Sequence, residues 1–223
     1  YTSPAMDNDI KGAEQVAVTR ATVVEEFQVG HVLTMAAGHT VHDTYTGSLP
    51  PLLPIFIASL SLSKTEAGLL SVFLQGPSLL QPFIGHLADR VNLRYLVILG
   101  PAVAAVMMSL VGIAPNYAVL ALFLTVVGIS SAGFHAVASV VAGSLSGRRL
   151  GRGMGLWMFA AELGRTVGPI MVVTAIKLLT VKGLPWLMVF GLIGSAILYL
   201  RLEGVLVQLP QANQGSSLRQ GLQ

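Results

Sequence analysis

The stretch Gly85-His86-Leu87-Ala88-Asp89-Arg90-Val91-Asn92-Leu93-Arg94 decides how this chain is read. It is a short charged island between two long apolar runs, with a Gly, an Asp and two Arg at tight spacing. Apolar runs of about 20 residues read as membrane-spanning helices, so the island is expected to be a very short loop at the membrane face. Topology alone accounts for arginines in such a loop. It does not account for Gly85 or Asp89. An Asp can accept hydrogen bonds or face the positive end of a helix. Arg90 and Arg94 are one helical turn apart and can pair with carboxylates. A glycine at the end of a span admits a close neighbour. Gly85, Asp89, Arg90 and Arg94 are therefore expected to form a latch that makes and breaks as domains move.

The composition agrees with a membrane setting. Hydrophobic residues make up 53% of the 223 and charged residues 10%, whereas an ordinary soluble domain is about 25% charged. Mean hydropathy is +0.73. Too little polar sequence remains to coat a soluble core, so the bilayer is the expected solvent. The absence of cysteine excludes a disulfide framework and thiol chemistry. The net charge of +3 is modest and its basic residues fall in short loops, which argues against a nucleic-acid partner. Residues 1–26 carry Asp7, Asp9, Lys11, Glu14, Arg20, Glu25 and Glu26 and lack the apolar core of a signal peptide. The chain opens on Tyr1, so its start is expected upstream or near Met6.

Six candidate spans follow, roughly 28–60, 66–87, 94–113, 117–145, 153–180 and 185–201. The first is long, and Pro50, Pro51 and Pro54 are expected to kink its second half. Residues 1–27 form a polar segment, 28–201 the membrane domain, and 202–223 a polar linker, its start marked by Arg201 and Glu203. With both termini cytoplasmic, the inside segments hold Lys11, Arg20, Arg90, Arg94, Arg148, Arg149, Arg152, Arg201 and Arg219. Outside lie Lys64, Lys182 and Lys177, so the bias favours that orientation. Histidines in spans one and four, and the pairs Gly76-Pro77 and Gly168-Pro169 in spans two and five, suggest a three-plus-three inverted repeat of the kind found in secondary transporters.

The spacing Gly-x-x-x-Asp-Arg-x-x-x-Arg between spans two and three resembles the signature loop of the major facilitator superfamily. Span five carries Gly155, Gly164, Gly168 and Pro169 at the spacing of that superfamily's antiporter motif. It departs from the motif at Val172 and Val173, where a glycine pair would stand, and no arginine stands near Leu124 in span four. The run from His39 to Pro54, Gln81-Pro82, and Gly133-Phe134-His135 are similar to the fosmidomycin-resistance branch, whose members export small molecules from bacteria. The resemblance covers about residues 30–205. It implies one six-helix half of an all-α major facilitator fold in a bacterial-type inner membrane. It further implies a proton-driven transporter of a small molecule, and a second six-helix half in the same polypeptide, a homodimer or a partner subunit.

Ionisable groups inside spans are costly and mark pathways by default. His39, His42 and Asp43 share one face of span one, and histidine titrates near physiological pH. With His135 in span four they are the expected proton-coupling and cavity residues. Glu162 and Arg165, three apart in span five, are expected either to neutralise each other or to offer Arg165 to an anionic substrate or to Asp43. His39, Asp43 and His135 are adequate transition-metal ligands, but they supply only one helical turn of donors, and no metal or other cofactor is assigned. The Gly147–Gly153 loop, Gly-Arg-Arg-Leu-Gly-Arg-Gly, lacks the Lys-Ser/Thr ending and preceding strand of a phosphate-binding loop. It reads as a topology anchor against anionic lipid. No nucleophile–base constellation suggests an enzyme. Two functions remain: a secondary-active, proton-coupled exporter, or a non-transporting accessory subunit that reuses the fold as a scaffold in a larger membrane complex.

Overall fold

The computed structural model describes residues 26–88, 91 and 93–208. Among these every regular element is helical. Residues 28–60 form two helices, α1 (Val29–Thr46) and α2 (Leu49–Leu60). The second membrane segment is α3 (Lys64–Gln75), a 3-10 turn (Gly76–Leu80) and α4 (Gln81–Ala88). The third is α5 (Arg94–Leu110), ending in a 3-10 turn at Val111–Ile113, and the fourth is α6 (Tyr117–Leu145). The fifth is α7 (Leu150–Leu179), and the sixth is a 3-10 segment (Val181–Leu187) leading into α8 (Met188–Gln208). Five of these segments are long and apolar enough to cross a membrane. The expected first span is instead broken at Gly47-Ser48 into helices of 18 and 12 residues.

The break has a local cause. Pro50 and Pro51 fall in the first turn of α2, where a missing N–H costs nothing because those donors have no intrahelical partner. The proline run therefore starts a helix better than it continues one. Ser61, in the left-handed region at φ 52°, closes α2. Ser63 then opens α3 with a reciprocal capping box, its side chain accepting from the Glu66 N–H while Glu66 accepts from the Ser63 N–H. The two Gly-Pro pairs behave differently. Gly76-Pro77 opens the 3-10 turn that interrupts the second segment, whereas α7 runs through Gly168-Pro169 unbroken. The charges at Arg201 and Glu203 end the apolar run but not the helix, which continues to Gln208. Both are good helix formers, so the membrane edge and the helix end are set by different properties.

The packing is reciprocal between the two halves of the chain. α1 lies most extensively against α7, and α6 lies most extensively against α5 and the α3–α4 segment. A repeat that equates the first span with the fourth and the second with the fifth requires this reciprocity of one-on-five and four-on-two. Both seams are built on glycine. A Cβ on Gly164 would sit 2.5 Å from the Thr40 carbonyl oxygen and 2.9 Å from Asp43 Cβ. A Cβ on Gly128 would sit 2.5 Å from the Leu74 carbonyl oxygen. Backbones that close gain dispersion contact that lipid does not provide. Side-chain bonds to carbonyls stitch the α1–α7 seam further: Thr40 Oγ1 donates to Ala160 O at 3.0 Å and Ser48 Oγ to Gly168 O at 3.2 Å.

Two apolar clusters flank a polar middle. One contains Tyr45, Leu52, Phe56, Leu70, Met108, Leu120 and Leu124; the other contains Val32, Met35, Ile98, Phe134, Val141, Trp157 and Leu198. On α1, Met35 belongs to one cluster and Tyr45 to the other, and the interval between them holds His39, His42 and Asp43.

Candidate functional site

Asp43 is the centre of an ion network assembled from three helices. Its side chain is 3% exposed. Arg165 Nη1 of α7 donates to Asp43 Oδ2 at 2.9 Å, and His42 Nδ1 donates to Oδ1 at 2.9 Å. His39 Nε2 lies 3.5 Å from Oδ2, and His135 Nε2 of α6 lies 3.6 Å from Oδ1. Arg165 also forks onto Glu162 through both Nε and Nη2. The structure thus brings together all six residues expected to carry charge chemistry within the spans. Arg165 pairs with Glu162 and with Asp43 at once, so the two pairings expected as alternatives occur together.

The helix geometry places this network deep. Arg165 is the sixteenth residue of the 30-residue α7, about 20 Å from either end at 1.5 Å per residue. A charge at that depth is tolerated when paired or when it faces a cavity, and both hold here. A cavity of about 380 Å³ is lined by Arg165 and His135, by the polar residues Thr46, Ser71, Gln75, Ser78, Gln81 and Ser131, and by apolar residues that include Leu49, Pro50, Leu74 and Ala132. Asp43 itself is not in the lining and sits behind Arg165 and His135.

Two aromatic side chains fix the imidazoles. His39 stacks on Trp157 at 3.8 Å between centroids and His42 on Phe134 at 4.4 Å. His39 Nδ1 lies 3.1 Å from the Trp157 carbonyl oxygen. A carbonyl only accepts, so Nδ1 carries hydrogen and Nε2 is the nitrogen turned toward Asp43. Sequence reasoning missed Trp157 as a partner and missed the polar cavity wall. The wall had a readable signal: Ser71, Gln75 and Ser78 stand at four- and three-residue spacing in an otherwise apolar span, which is one helix face. Trp157 had none, because a lone aromatic in a span is indistinguishable from core.

The motif glycines separate into two kinds. Gly164 and Gly168 press on the α1 backbone, whereas nothing lies within 4 Å of a Cβ built on Gly155 or on Gly85. The close neighbour expected at Gly85 is therefore absent among the described residues. Pro169 lies inside α7 without breaking it. Of the loop residues, Asp89 and Arg90 lie outside the described residues. Arg94 opens α5 and donates from Nη2 to the Tyr95 hydroxyl at 3.2 Å, its guanidinium 4.9 Å from that ring's centroid.

Apolar helices of spanning length, with an ion network between them and a cavity beside it, define a multi-pass helical membrane protein. The family model for the Major Facilitator Superfamily matches residues 35–218, and the chain belongs to that superfamily. It is similar to the Fosmidomycin resistance protein of Escherichia coli (strain K12), 22% identical over 165 residues, which is 74% of this chain and 41% of that protein. It is also similar to the Uncharacterized MFS-type transporter YfnC of Bacillus subtilis (strain 168), 25% identical over 151 residues, 66% of this chain and 36% of that protein. The chain therefore spans about two fifths of the length of these relatives. No solved structure matches it.

Proposed function

We propose that the chain is the N-terminal six-helix half of a secondary-active exporter, which moves a small molecule out of a bacterial-type cell by alternating access in exchange for protons. The inner membrane is its site, with both termini cytoplasmic, and a second six-helix unit completes the transport path. The observation that carries this reading is the Asp43 network. A carboxylate 3% exposed at mid-span, held by Arg165 and ringed by three imidazoles, stands beside a cavity with a partly polar wall. A scaffold has little physical need for such a group, because burying charge costs several kcal/mol per ion before pairing returns part of it (~3–5 kcal/mol when a partner is lost).

In this mechanism Asp43 alternates between two partners. Ionised, it binds Arg165 and ties α1 to α7 at the cavity wall. Protonated, it loses its attraction for Arg165, which keeps Glu162 and turns its remaining donors to the cavity. Cargo and proton then compete for one site, which is the requirement of exchange. The name of the Escherichia coli relative makes fosmidomycin the first probe of cargo.

The test uses everted vesicles from cells that express the chain together with the second six-helix unit, acidified inside, with a pH-sensitive dye. Fosmidomycin added to wild-type vesicles is expected to drain the gradient, and Asp43→Asn is expected to abolish this drain with the protein still in the membrane. Equal drains from wild type and Asp43→Asn refute the coupling assignment. The competing reading is an accessory subunit of a larger complex. It gains support if neutralising His39, Asp43 and Arg165 together changes no transport while the chain co-purifies with other membrane proteins.

A further inference from the structure

The geometry points to His135 as the proton relay between the cavity and the buried carboxylate of Asp43. This inference rests on the proton-coupling reading above and names the path by which the proton arrives. Asp43 is faced by His39 and His42 from its own helix, by His135 from α6 and by Arg165 from α7, with Glu162 behind Arg165. A proton from the cavity must cross a group that both lines the cavity and lies against Asp43. Thr46 and Gly47 line the cavity but reach only the Asp43 backbone carbonyl, and among the described residues Arg165 and His135 line it and reach the carboxylate. Arginine does not release its proton in proteins, so Arg165 passes nothing on and also insulates Asp43 from Glu162.

The other imidazoles are closed to this role. His39 is buried, stacked on Trp157, with Nδ1–H committed to the Trp157 carbonyl. His42 is buried, stacked on Phe134, with Nδ1 on Asp43 and Nε2 lacking any hydrogen-bond partner among the described residues. Neither lines the cavity. The His135 side chain is 28% exposed, and its Nε2 stands 3.6 Å from Asp43 Oδ1.

The transfer balances as follows. Nδ1 of His135 takes a proton from a hydronium ion in the cavity and leaves water, Nε2–H is given to Asp43 Oδ1, and Asp43 becomes the neutral acid. The imidazole is left as its other neutral tautomer and resets by exchanging both nitrogens with cavity water. The observed 3.6 Å lies about half an ångström beyond hydrogen-bond range. The ring therefore closes on the carboxylate to transfer and opens to reset, which makes the relay a gate.

Trp157 supplies the readout, because it stacks on His39, whose Nε2 lies 3.5 Å from Asp43 Oδ2, so loss of the carboxylate charge changes the field at the indole and shifts its emission. The full chain carries two tryptophans, and Trp186→Phe leaves Trp157 alone. After a pH jump in detergent, emission is expected to relax as the proton reaches the cluster. His135→Gln is expected to slow that relaxation by about 100-fold, the scale of a lost proton-transfer group, with the same end points, and added imidazole is expected to restore the rate. An unchanged rate, or slowing that imidazole does not reverse, overturns the relay. A flat wild-type response from about pH 4 to about pH 9 overturns the relay and the proton site together, where histidine and carboxylate groups titrate. Loss of coupling in the vesicle assay with an intact relaxation overturns only the exporter reading.

Discussion

Gly164→Ala adds one methyl group at the closest approach of α1 and α7, and its consequence can be worked from distances. The new Cβ would lie 2.5 Å from the Thr40 carbonyl oxygen, 2.9 Å from Asp43 Cβ and 3.0 Å from the Thr44 nitrogen. Two of these three atoms are backbone, so no rotamer change relieves them. Carbon and carbonyl oxygen approach no closer than about 3.3 Å in favourable contacts, which asks the helices to part by about 0.8 Å. A parting of that size carries the 2.9 Å Arg165–Asp43 bond past the ~3.2 Å limit of a hydrogen bond. Overpacking of this kind costs about 1–3 kcal/mol, and the ion pair weakens with it. Gly155→Ala is the control, since it lies in the same helix and the same motif with nothing within 4 Å. It is expected to be neutral or to stabilise by about 0.5–1 kcal/mol, the ordinary helical gain from Gly to Ala. Thermal unfolding in detergent measures both, and a double-mutant cycle of Gly164→Ala with Asp43→Asn tests the link. Coupled sites deviate from additivity by at least about 0.5 kcal/mol. Strict additivity, or equal stability of the Gly164→Ala and Gly155→Ala chains, would refute the claim that this glycine positions the ion pair.

Gly128→Ala is expected to destabilise by about 1–3 kcal/mol in the same unfolding assay, because its Cβ would meet the Leu74 carbonyl oxygen at the repeat-related seam. Arg165→Gln leaves Asp43 without its cation and is expected to cost roughly 1–3 kcal/mol, less than for a fully buried pair because Arg165 is 45% exposed. The double variant Asp43→Asn, Arg165→Gln is expected to recover part of that loss. Tyr45→Phe removes the hydroxyl that donates to Leu187 O at 2.5 Å and accepts from the Gly191 N–H at 3.1 Å, pinning α1 to the start of α8. It is expected to lower stability by about 1–3 kcal/mol, read as a shift in unfolding midpoint. Ser63→Ala breaks the capping box of α3 and is expected to cost about 0.5–2 kcal/mol with the Asp43 network unchanged.

The sequence by itself determined the class. Long apolar runs joined by short charged loops admit little besides membrane helices, since a backbone in lipid must satisfy its own hydrogen bonds. It also singled out the charged residues of the spans, because each one stands out against an apolar background. Where the chain breaks was less legible. Three prolines mark a disturbance near residue 50, but a kink and a fresh helix start differ only in where the orphan donors fall. The Gly-Pro pairs at 76 and 168 look alike in sequence, yet only the first interrupts its helix.

Tertiary structure alone decided which charges meet. His39, His42 and Asp43 share a helix face by spacing, but Arg165 is 122 residues from Asp43 in the chain and meets it only because Gly164 lets two backbones close. That approach also determines that Asp43 is sealed from the cavity while His135 and Arg165 reach it. The difference follows from range. Periodicity and polarity are local properties that hold along one helix, whereas an ion network depends on which faces of three helices converge, and that is set by packing between segments distant in sequence.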